Sequence, residues 1–119
     1  MKNLVEEEKI RDTIKKIPET SFTVLDFIEF FKILYPDDWR RLVERFGTFG
    51  EKRRYTTTTY LSNRLDAYSQ KTNSLLVPFT RWKQARFQDY RRTTEEEKKF
   101  FGSPWIAVFK KKEALKTDG

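Results

Sequence analysis

Between Glu51 and Gln70 the chain reads EKRRYTTTTYLSNRLDAYSQ. Three cations, Lys52, Arg53 and Arg54, run into the threonines Thr56–Thr59 and then into Ser62, Asn63 and Arg64. Cations and hydroxyls are the groups that contact phosphate oxygens, and such contacts position a protein without reading sequence. Cations just ahead of a helix start suit an anion further, because unpaired N–H groups and the helix dipole meet there. Asn63 has the donor and acceptor to pair with an adenine edge, and Arg64 the fork to pair with guanine. The methyls of Thr57, Thr58 and Thr59 fit a thymine methyl. More cations follow at Arg81, Lys83, Arg86, Arg91 and Arg92, interleaved with Trp82, Phe87 and Tyr90. A plainer reading uses the same residues: the threonines cap a helix, Arg64 is a solvated charge, and the rings pack on helices. On sequence alone both readings stand.

The charge is unevenly spread. The 119 residues carry 25 Lys/Arg against 18 Asp/Glu, a net charge of +7, with a pI near 9.7. Residues 1–50 hold nine cations and ten acids, and residues 51–119 hold sixteen and eight. A field confined to one part of a chain suits a polyanionic partner, although a basic surface also serves solubility. With no Cys and no His, the Ser–His–Asp and Cys–His arrangements are excluded, as are thiol chemistry and disulfides. Gly47-x-x-Gly50 is followed by Glu51-Lys52, without the spacing or hydroxyl of a phosphate loop. Asp37 and Glu96-x-Lys98 resemble a nuclease pattern only if forced, and a helix cap and a charged turn explain them better. We therefore expect a non-enzyme with no catalytic residues, no metal and no cofactor. No stretch nears the ~18 apolar residues of a membrane span. MKNLVEEEKIRD lacks an apolar signal core. The expectation is a soluble intracellular protein, cytoplasmic or associated with the nucleoid.

These residues need elements to position them. Residues 2–17 carry a sparse stripe of Leu4, Val5, Ile10, Ile14 and Ile17, which predicts a helix packed on the domain or pairing with a second copy. Ser21–Tyr35 predicts the strongest helix, capped at Thr23 with Asp26 three residues on, stapled by Phe22 and Phe27, and apolar around most of its girth. Asp37 or Asp38 is expected to cap a third helix bearing Trp39, Leu42, Val43 and Phe46, with Gly47 just past its end. Leu61, Leu65 and Tyr68 predict a helix over 57–70. Beyond it, Leu75–Phe79 reads as extended, Trp82–Tyr90 as a strand, Arg91–Gly102 as a charged connection with a turn of helix, and Pro104–Phe109 as a strand. A basic tail from Lys110 is expected to fray.

Helices over Thr23–Tyr35, Asp38–Phe46 and Thr57–Gln70, followed by a hairpin ending in PWIAVF, resemble a winged helix: a helix-turn-helix with a β-ribbon wing. The resemblance covers about Ser21 to Lys111, and Gly47–Thr56 is longer than the tight turn of the basic motif. It implies an α+β fold, with a three-helix winged helix-turn-helix core, a C-terminal antiparallel hairpin wing and an extra N-terminal helix. The expected organisation is one domain: residues 1–18 as the extra helix, 21–111 as the core and 112–119 as a tail. It further implies duplex DNA as partner, favoured over RNA, with helix 57–70 in the major groove and the 81–110 hairpin as wing, in a transcriptional regulator or DNA-binding subunit. A homodimer through residues 2–17 would address two half-sites. RNA or ribosome binding, and a docking role without nucleic acid, are the alternatives.

Overall fold

The computed structural model describes residues 4–47, 56–78, 90–101 and 104–112. Along the chain come α1 (Glu7–Lys16), β1 (Ser21–Thr23), α2 (Val24–Leu34), α3 (Pro36–Phe46), α4 (Thr57–Ser69), β2 (Tyr90–Arg92), α5 (Glu95–Phe101) and β3 (Trp105–Lys110). The fold is mixed α+β, with five helices and a three-stranded antiparallel sheet among the described residues.

The sheet has the order β1-β3-β2, so the last strand lies between the other two. Phe22 is opposite Phe109 on one side of β3, and Arg91 is opposite Ile106 on the other. Two sequence expectations change here. Ser21–Thr23, read as the start of the second helix, is a strand, because Ser21 to Thr23 pair with Lys110 to Val108. Arg91 and Arg92, read as the start of a connection, belong to β2. Residues 82–89 of the expected strand lie outside the described residues. Leu76 bridges to Lys111, and the Val77 N–H donates to the Lys110 carbonyl at 2.8 Å, so the strand pairing runs on past Phe109. Lys110–Lys112 is thus held in place, where a frayed tail was expected. Residues 113–119 of that tail are not among those described.

Thr23 caps α2 as expected. Its hydroxyl accepts from the Asp26 N–H, and the Asp26 carboxylate accepts from the Thr23 N–H at 2.9 Å. α2 buries Val24, Phe27, Ile28 and Phe31 but leaves Ile33 76% exposed, so it is not covered on all sides. Pro36 ends α2 and also opens α3 at its first position, where a missing N–H costs nothing. The cap of α3 is therefore Tyr35, and Asp37 and Asp38 stand in the first turn with the favourable dipole sign. Gly47 closes α3 at φ 80°, a backbone region a side chain disfavours. Val5, Ile10, Ile14 and Ile17 of the N-terminal segment are buried in the chain's own core with Leu61, Leu65, Tyr68 and Phe109. No helix among the described residues is long and apolar enough to cross a membrane.

Candidate nucleic-acid interface

α4 is where the sequence concentrates its hydrogen-bonding side chains, and the structure divides them between the interior and the surface. Thr56 and Thr59 cap each other. The Thr56 hydroxyl accepts from the Thr59 N–H at 3.4 Å, and the Thr59 hydroxyl from the Thr56 N–H at 3.3 Å. Thr57 faces inward, its hydroxyl 3.0 Å from the Leu42 carbonyl and 2.5 Å from that of Gly47. Its N–H also donates to Gly47, at 2.9 Å. Thr58 is buried, and its hydroxyl has no partner among the described residues.

The contacts of Thr57 resolve how α4 is presented. Residues 48–55 fall outside the described residues, yet Gly47, just before them, and Thr57, the first residue of α4, are bonded to each other. α4 therefore starts against the end of α3. Lys52, Arg53 and Arg54, which precede α4 in sequence, lie outside the described residues.

Arg64 is engaged inside the fold. Its Nη1 donates to the Val5 carbonyl at 2.5 Å and lies 3.2 Å from the Tyr60 hydroxyl. That hydroxyl also accepts from the N–H groups of Leu4 and Val5, at 3.1 and 3.2 Å. The N-terminal segment crosses α4 here, and Arg64 and Tyr60 satisfy its backbone. A second clip pairs Lys71 with Glu7, and this hydrogen bond holds the Glu7 carboxyl below its ordinary range. What α4 leaves at the surface is another edge: Thr59 and Ser62 half-buried, and Asn63, Ala67 and Gln70 exposed at helical spacing. That edge bears no charge. The one carboxylate of α4, Asp66, is 7% exposed.

Of the sequence candidates, then, Thr59, Ser62 and Asn63 share one accessible edge, while Thr57, Thr58 and Arg64 do not join it. The spacing held a signal for this. Thr57 stands four residues before Leu61 and Thr58 seven before Leu65, which puts both on the apolar face. The same rule extends the outer edge to Ala67 and Gln70, which the composition of the stretch did not bring forward.

The hairpin cations are placed only in part. Arg81, Lys83 and Arg86 lie outside the described residues. Arg91 grips Glu97 with both guanidinium nitrogens, at 2.8 and 2.7 Å. That bidentate bond, helped by the Thr94 N–H, lowers the Glu97 carboxyl to about 2 and raises Arg91. Arg92 is exposed, with its guanidinium 5.3 Å from the centre of the Trp105 ring, so this ring and cation sit together on the ribbon. Lys110 is exposed further along β3. Burial lowers the Lys111 ammonium, which donates to the Ile17 carbonyl.

The arrangement defines an α+β domain with a polar, uncharged helix edge and a short cationic ribbon. Comparison with protein-family models, with curated proteins and with solved structures gives no match.

Proposed function

We propose that the chain binds duplex DNA in the manner of a winged helix, with the outer edge of α4 against the major groove and the β2–β3 ribbon against the backbone, as a transcriptional regulator or the DNA-binding part of an assembly. The observation that carries this reading is the α4 edge itself. Ser62 and Asn63 bring uncharged hydrogen-bonding side chains to it, beside Thr59, whose hydroxyl caps the helix, and Gln70, whose amide donates to Asp66; Ala67 permits close approach, and no carboxylate is exposed on the helix to repel phosphate. Three further features support it. The Thr57–Gly47 contacts seat α4 on α3 despite the long intervening segment. β2 and β3 form an antiparallel ribbon carrying Arg92. Lys52–Arg54 enter the chain where α4 begins, within the half of the sequence that holds the positive charge.

In this reading Asn63 is the base reader, Lys52, Arg53, Arg54, Arg92 and the cations of 81–86 supply phosphate contacts, and Arg64 holds the N-terminal segment. The apolar stripe of that segment is used within the monomer, so pairing through residues 2–17 is not part of the proposal. The test is a salt series with duplex DNA, structured RNA and single strands. Duplex binding that is tightest of the three and weakens steeply with salt is expected. Tighter binding of structured RNA would favour an RNA partner. Absence of binding to all three at low salt would remove nucleic acid and leave a docking role.

A further inference from the structure

A groove of about 410 Å³ lies where α2, α3 and α5 meet. Leu25, Ile28 and Trp39 give it an apolar lining, and Asp26, Glu29, Glu96 and Glu97 stand around it with one cation, Lys32. On a chain of net charge +7 this is a concentration of the opposite sign. Part of it is neutralised locally: Lys32 lies 3.5 Å from Glu29, and Arg91 grips Glu97. Asp26 and Glu96 have no cation within ion-pairing distance among the described residues. One turn on from Glu29, Ile33 extends the apolar surface past the groove.

We propose that this groove docks a lysine- or arginine-rich segment of another protein that carries an apolar anchor residue. The anchor enters between Leu25 and Trp39, and the flanking cations meet Asp26, Glu29 and Glu96. An apolar pocket supplies affinity, whereas complementary rim charges supply orientation and speed of encounter. Ile33 outside the pocket favours an extended or helical segment over a ligand that the pocket alone would hold. The site is separate from the α4 edge and does not depend on nucleic-acid binding.

The experiment is fluorescence anisotropy with the full chain and three short labelled peptides: lysine-rich with a leucine–phenylalanine anchor, lysine-rich with serine in place of the anchor, and glutamate-rich with the anchor. The anchored basic peptide is expected to bind at least ~10-fold more tightly than either control, a factor that corresponds to about 1.4 kcal/mol. The double variant Glu29→Lys with Glu96→Lys is expected to lose at least ~10-fold of that affinity. Ile33→Ser, at an exposed position, is expected to weaken it by a few-fold. Thermal melts establish that both variants fold. Equal binding of the anchorless peptide, no binding of any peptide, or an intact site in the folded double variant overturns the proposal. So does self-association that the same charge reversal abolishes, which would assign the groove to a second copy.

Discussion

α4 and α5 begin with the same device, one that also opens α2, and use it in opposite surroundings. α4 starts at Thr56 and α5 follows Thr94, and in each the threonine hydroxyl accepts an N–H three residues on while the side chain there returns the bond. At α4 the returning group is another hydroxyl, and the neighbouring Thr57 is bonded to carbonyls at the end of α3. At α5 the returning group is the Glu97 carboxylate, shared with Arg91 near the surface. The first junction is neutral and buried, and it sets where a helix stands. The second is charged and solvated, and it secures a short helix between two strands. Neutral buried bonds are insensitive to salt and pH, whereas a solvated ion pair responds to both.

Substitutions can break this contrast. Thr57→Val should show the largest effect, about 1–3 kcal/mol lost in urea unfolding, because it removes the one buried hydroxyl proton shared between the Leu42 and Gly47 carbonyls, while the Thr57 N–H bond to Gly47 remains. Arg64→Ala follows at about 1–2 kcal/mol, since the Val5 carbonyl loses its partner. Thr94→Ala should cost less, about 0.5–1 kcal/mol, as for an exposed cap. The two junctions then separate by pH. Glu97 has its carboxyl lowered in the folded state, so its contribution is full above about pH 4.5 and is lost as pH falls toward about 2. Glu97→Gln should flatten the acid limb of stability in that window, and Thr57→Val should leave its shape unchanged. Thr58→Val should be the mildest, neutral or stabilising within about 0.5 kcal/mol, because its buried hydroxyl has no partner among the described residues. A loss comparable to that of Thr57→Val would show that the two threonines are not distinguished as described.

The helices were legible because their signals are local. Thr23 with Asp26, the Pro36 stop, Gly47 past α3, and Leu61, Leu65 and Tyr68 on one face all act within a turn or two. β1 was not legible, since Ser-Phe-Thr has no periodicity and is a strand only because β3 arrives beside it. Arg64 read as a solvated or base-reading charge because nothing nearby in sequence requires it. Its partner, the Val5 carbonyl, is 59 residues away. The groove between α2, α3 and α5 likewise depends on where α5 comes to rest, and of its acidic residues the sequence shows Asp26 only as part of a cap and Glu96 only in a charged turn.

The proposed DNA binding is tested most directly at Asn63, the residue proposed to read a base from the exposed edge of α4. The measurement is binding of Asn63→Ala to a selected duplex site and to single-base variants of it, across a salt series. The expected result is a loss of about 1–3 kcal/mol of discrimination at one adenine position, with the salt slope unchanged. Full retention of discrimination by a folded Asn63→Ala protein would contradict the proposal that α4 lies against the bases.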